Sequence, residues 1–294
     1  MIKKNKKTSS LRKKVKTEKD NNSRDDYINW EALLVLLVIF VIVEFLGLFV
    51  AYSLATQGVQ PEIFAEDSNS IWNAAYLFVS IMIMTAIILL LMRLRKRKQT
   101  LWALEALAVF VTSMIVFEIF FGETIGLFLS ICVLLWRFTF RKSVLFRNFV
   151  GMIAIAGAGG LIGLSLGIVP IVAFITALAI YDLIAVFGTK HMVAIGKEVT
   201  KENFAFTIAL PTREHQFELG NGDLVIPLVV ASSTLVNGPF NNNFIVAGFV
   251  LAASYVGLAI SIQSVSVLKQ PLPALPPQVV LMLIILGISF ILGI

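Results

Sequence analysis

Asp182, in the run Ile-Tyr-Asp-Leu-Ile, and Asp223, in Gly-Asn-Gly-Asp-Leu-Val-Ile, are acids placed where this chain is otherwise apolar. The other four aspartates, Asp20, Asp25, Asp26 and Asp67, lie in polar segments. An aspartate at the centre of a membrane-spanning helix costs roughly 2.5–3.5 kcal/mol on insertion scales. Two of them on successive apolar runs therefore imply a use. Three uses suit such a pair. It can fix helix packing, or relay protons in a transporter or ion-leak channel. It can also share one proton, so that one carboxylate activates a water while the other acts as an acid.

The elements that must position these acids are read from hydropathy and charge. The 294 residues are 58% hydrophobic and 14% charged, which excludes a soluble domain. Apolar runs long enough to cross a core of about 30 Å recur along the chain. They predict an all-α membrane protein of nine spans, near 30–54, 71–92, 101–120, 124–140, 148–166, 170–189, 221–238, 243–266 and 276–294. The organisation is a basic cytoplasmic arm (1–29), predicted to be disordered, helices 1–6 (30–189), a cytoplasmic loop (190–219) and helices 7–9 (220–294). All 24 Lys and Arg fall in 1–29, 93–98, 137–147, 190–213 and at Lys269, with none in 55–70, 121–124, 167–169 or 239–242. Basic loops stay in the cytoplasm, so the N terminus is expected inside, the C terminus outside, and the protein in the cell membrane. The net charge of +6 then reflects orientation and contact with anionic lipid, and not a nucleic-acid surface. The first apolar run follows a long polar arm and is too long for a signal-peptide core, so it reads as a retained anchor.

Other chemistries lack their residues. The two histidines, His191 and His215, form no metalloprotease motif. A lone Cys132 excludes an internal disulfide or a cysteine metal cluster. Ser165, in Gly-Leu-Ser-Leu-Gly, lies at the opposite membrane face from both histidines, so no base reaches it. Gly159, Gly163 and Gly167 predict a smooth packing stripe on the fifth helix. Gly157-Ala158-Gly159-Gly160 lacks the lysine of a phosphate loop. No cofactor or metal is implied. Glu44 falls mid-span with no evident partner. Glu105 and Glu118 lie near the ends of the third span, where they are expected to reach the interfaces, and Trp30, Trp72 and Trp102 read as interfacial anchors.

Asp182 lies about seven residues before the inner end of the sixth span, roughly 10 Å deep at 1.5 Å per residue. Asp223 lies in the first turn of the seventh, in the same leaflet. At that level Pro271-Leu272-Pro273-Ala274-Leu275-Pro276-Pro277 enters the ninth span, and its four prolines predict extended backbone. Pro227 cannot donate the helical bond to the Asp223 carbonyl, which predicts a loosened first turn. The segment 204–210, Phe-Ala-Phe-Thr-Ile-Ala-Leu, alternates as a strand would and is expected to capture an extended substrate by strand addition.

Tyr181-Asp182, Gly220-x-Gly222-Asp223 and Pro273-Ala274-Leu275, in this order on the sixth, seventh and ninth helices, resemble the intramembrane aspartyl proteases of the presenilin and signal peptide peptidase family. The resemblance covers the chain from about residue 165 onwards; before that only the helix count agrees. It implies a microbial, archaeal-type homologue with Asp182 and Asp223 as the catalytic pair. Gly220 and Gly222 would give close approach for substrate or the sixth helix. Tyr181 would bond near the pair or anchor its helix, and Pro273, Ala274 and Leu275 would line the substrate wall. The implied activity is intramembrane aspartyl endopeptidase, cleaving transmembrane protein or peptide segments near the cytoplasmic leaflet. The inside N terminus is presenilin-like and implies substrates that cross with their N termini outside, whereas Gly-Asp-Leu-Val-Ile-Pro is closer to the signal peptide peptidase branch.

Overall fold

The computed structural model describes residues 30–59, 67–93, 97–189, 204–211, 216–268 and 272–293. The basic arm, both histidines and the middle of the inside loop lie outside the described residues. Nine α-helices are described: α1 (Trp30–Thr56), α2 (Ile71–Arg93), α3 (Arg97–Phe121), α4 (Glu123–Thr139), α5 (Val144–Ser165), α6 (Ile168–Leu183), α7 (Gly222–Asn237), α8 (Asn243–Leu268) and α9 (Leu275–Leu292). A π-helical turn, Ile184–Thr189, continues α6, and strands β1 (Thr207–Pro211) and β2 (Gln216–Gly220) form an antiparallel hairpin before α7.

Seven of these helices are long and apolar enough to cross a membrane. The expected nine spans are thus not all of full length. α4 has 17 residues and α7 has 16. α7 is short because it is a central post. Leu224 and every residue from Ile226 to Thr234 are buried, as expected of a helix enclosed by others on all sides. On one side Val229 and Val230 pack with Leu77, Phe174, Ile175, Val250, Val279 and Met282 of α2, α6, α8 and α9. On the other, Leu224 and Leu228 pack with Leu36, Phe40 and Val43 of α1, Ile155 of α5 and Ile208 and Leu219 of the hairpin.

Small residues let α5 lie against that post. A Cβ at Gly159 would stand 2.5 Å from Cδ2 of Leu228, and one at Gly163 would stand 2.5 Å from Cβ of Ser232. Gly167 does not extend the stripe, because α5 ends at Ser165 and Gly167 is the N-cap of α6. Its N–H donates to the Ser68 carbonyl at 2.8 Å. Ser165 bonds back to the Leu161 carbonyl, 2.8 Å away, as a helical serine does. The C-terminal carbonyls of α5 are satisfied from α7: Asn237 Nδ2 donates to Leu164 and Leu166, both at 2.9 Å, and Ser233 Oγ to Leu166 at 2.7 Å. The close α3–α4 turn turns on Gly122, whose φ of +80° suits glycine.

Candidate active site

Asp182 stands in the last turn of α6, where the helix passes into the π-helical turn Ile184–Thr189. Such wide turns are frequent at functional sites. Its Oδ2 accepts the N–H of Leu275 at 3.3 Å. Leu275 opens α9, and a helix N-terminus carries unpaired N–H groups and partial positive charge. A carboxylate from α6 thus caps α9.

Asp223 is the second residue of α7. The backbone N–H of Gly220, at the end of β2, bonds its carboxylate, and the charge of Asp182 acts on it directly. The ends of α6, α7, α9 and β2 therefore converge on the two acids. Both are half-buried. Tyr181 packs edge-on against Phe78 of α2, with ring centroids 6.2 Å apart, so its ring anchors α6.

The other expected residues divide. Gly222 is exposed, and among the described residues a Cβ there would meet nothing within 4 Å, while a Cβ at Gly220 would meet only Oδ2 of Asp223, at 3.6 Å. No described atom of α6 lies within 4 Å of a Cβ at either glycine. Pro227 does sit inside α7, four residues after Asp223, and is buried. The proline segment is not extended throughout. Ala274 is α-helical in conformation (φ −89°, ψ −28°), and Pro276 and Pro277 occupy the first turn of α9. That turn needs no N–H donors, so proline there starts a helix where deeper in it would break one. Pro273 and Leu275 are buried and Ala274 half-buried.

Sequence reasoning missed the residues that hold the hairpin. The strand in 204–210 begins only at Thr207. Its outer edge is already taken: Asn148 of α5 donates Nδ2–H to the Ala209 carbonyl at 2.7 Å and accepts the Ala209 N–H on Oδ1 at 2.9 Å. Ala209 and its partner Glu218 are therefore a non-hydrogen-bonded pair, so the Glu218 N–H and C=O point away from β1. The Glu218 carboxylate takes Arg147 at 2.9 Å and the Thr207 hydroxyl at 2.6 Å. Asn221 ties the start of α7 to the same segment, its Nδ2 on the Ala205 carbonyl at 2.8 Å and its N–H on the Phe206 carbonyl at 3.1 Å.

Glu105 does not reach an interface. It is buried against Arg137 of α4, 2.8 Å from Nε, and accepts the Ala205 N–H at 3.2 Å. Trp102 is likewise buried, with Arg141 above its ring at 4.1 Å and Phe204 at 5.0 Å. Glu44 is 2% exposed, and both carboxyl oxygens lack a partner among the described residues. No group of metal-ligating side chains occurs among the described residues.

The family described as "Signal-peptide peptidase, presenilin aspartyl protease" matches residues 37–278. Two crystal forms, C222 and P2, of a presenilin family intramembrane aspartate protease share the fold with a TM-score of 0.65 and 19% identity. They cover 88% and 91% of this chain and 99% of their own. No curated protein sequence matches.

Proposed function

Because the chain belongs to the signal-peptide peptidase and presenilin family of aspartyl proteases, and so to the intramembrane proteases, we propose that it hydrolyses peptide bonds within transmembrane segments near the cytoplasmic leaflet, with Asp182 and Asp223 as its catalytic pair. The observation that carries this reading is the convergence of the two acids from α6 and α7 beside the first turn of α9. Two adjoining carboxylates in a low-dielectric site do not both ionise, so they hold one proton between them. The ionised member takes a proton from water as the water attacks the scissile carbonyl. The protonated member donates to the carbonyl oxygen, and a proton then passes to the leaving amine. Each aspartate accepts one backbone N–H, from Leu275 or Gly220, which holds the two in place without neutralising either.

A spanning helix hides its peptide bonds and must unwind to be cut. We place capture of the unwound segment on β2, because Asn148 occupies the outer edge of β1 while the Glu218 backbone faces outward. Strand addition there would run a substrate past Gly220 towards Asp223, and no described residue lies within 4 Å of a Cβ at Gly222 to oppose it. The nine-helix order with the N terminus inside predicts substrates whose N termini lie outside.

The test is incubation of purified protein with a model spanning peptide, with and without a peptide mimic carrying a hydroxyl in place of the scissile carbonyl. The proposal predicts two product fragments and inhibition by the mimic. Proton or ion flux through proteoliposomes, with no peptide product, would assign the acids to a transporter or leak channel instead.

A further inference from the structure

The peptide unit joining Ala274 to Leu275 is held at both ends. Its N–H donates to Oδ2 of Asp182 at 3.3 Å. Its carbonyl accepts Nε2–H of Gln278 at 3.2 Å; the Ser261 hydroxyl stands 3.3 Å away, but its single proton has the Gly257 carbonyl nearer, at 3.1 Å. Gln278 in turn accepts the Ser254 hydroxyl on Oε1 at 2.8 Å. Gln278 and Ser254 have no exposed surface, and Ser261 is 4% exposed. Gly257 lets α8 and α9 meet at this level, since a Cβ there would stand 2.6 Å from Cα of Gln278.

A buried amide contributes little to stability over an apolar side chain of its shape once both are packed. Its value here is directional. A peptide unit is a rigid plane, so bonds that fix the carbonyl also fix the N–H on the opposite side. Donation to the carbonyl also polarises the N–H and strengthens its own bond. We propose that Gln278, anchored by Ser254, is a positioning residue for Asp182, acting through the Ala274–Leu275 peptide unit. The proposal rests on Asp182 being catalytic. Gln278 bonds neither Asp182 nor the hairpin edge at β2, so it acts on the chemical step and not on substrate capture.

The experiment uses the full-length protein in micelles, with Gln278→Leu and Ser254→Ala. Cleavage of the spanning peptide gives kcat and KM. The amide proton of Leu275, labelled with nitrogen-15 and assigned by its loss in Leu275→Ile, reports the donor directly. Gln278→Leu is expected to lower kcat about tenfold, the equivalent of one hydrogen bond of about 1.4 kcal/mol, with KM within about twofold. Ser254→Ala is expected to lower kcat by a smaller factor, and the Leu275 amide proton to move upfield in both. An unmoved resonance overturns the proposal, as does an unchanged kcat with only a lowered unfolding midpoint. A rise in KM alone overturns it too. If Gln278→Leu does not fold, Ser254→Ala carries the same test. Should the wild type cleave nothing, or Asp182→Asn still cleave, the protease reading fails, and the Leu275 resonance still decides whether Gln278 sets that donor.

Discussion

Removing both partners of the Glu105–Arg137 pair should destabilise the protein no more than removing either one. Each side chain is 2% exposed, and the pair is 2.8 Å apart. Glu105→Leu takes a carboxylate away from a buried guanidinium, a loss of about 3–5 kcal/mol. Arg137 keeps a bond to the Arg141 carbonyl at 3.1 Å and the face of Trp102 at 5.1 Å, which places the loss at the low end, about 3 kcal/mol. Arg137→Met strands the carboxylate in the same way. The double variant removes both charges of the pair, and its remaining deficit there is the Ala205 N–H stripped of its acceptor, about 1–3 kcal/mol. The singles would sum to about 6 kcal/mol, so the pair should be strongly non-additive. Denaturant titration of the four proteins in mixed micelles measures this. Additive losses, or singles within about 1 kcal/mol of wild type, would refute the reasoning. Because Glu105 also fixes the segment that leads into β1, the singles should lose cleavage as well.

Asn148→Leu frees the outer edge of β1 and strips the Ala209 N–H and C=O of their partners. It should cost about 2 kcal/mol of stability and lower kcat/KM, as the hairpin can then pair on the wrong side. Gly163→Val forces a side chain into Ser232 and the Val229 carbonyl. It should lower the unfolding midpoint by an overpacking cost of about 1–3 kcal/mol or more. Gly248→Ala, with nothing among the described residues within 4 Å, should leave that midpoint unchanged or raise it. Gly222→Val likewise meets no atom of the described residues within 4 Å of its Cβ. Stability should hold while peptide cleavage falls; unchanged cleavage would remove Gly222 from the substrate path.

The acids and the proline segment were legible because each breaks a strong rule. Aspartate is costly in an apolar run, and clustered prolines mark a helix boundary, here with two of them in the first turn of α9. The all-helical architecture followed from hydropathy; among the described residues nine α-helices occur, seven of them long and apolar enough to cross a membrane, and the shortness of α7 did not follow, since burial by other helices replaces length. Gly159 and Gly163 were read correctly from spacing, while Gly167 was over-read because periodicity carries no information on where α5 stops. Asn148, Asn221 and Gln278 were missed. A single amide in an apolar helix is a weak signal, and Asn148 meets Ala209 from 61 residues away. The row Ser254-x-x-Gly257-x-x-x-Ser261 was the one local hint, a small-residue face on α8 that marks where α9 comes close. Glu105 was read as interfacial from its place near a helix end, and only the fold could bring Arg137 of the neighbouring helix onto it.

The central claim is that Asp182 and Asp223 together perform hydrolysis. The most direct measurement is cleavage of a spanning peptide by purified wild type, Asp182→Asn and Asp223→Asn, each checked for an unchanged unfolding midpoint. The account predicts fragments from the wild type and none from either variant, because an amide cannot share the proton on which water activation depends. Cleavage that survives in either folded variant would contradict it.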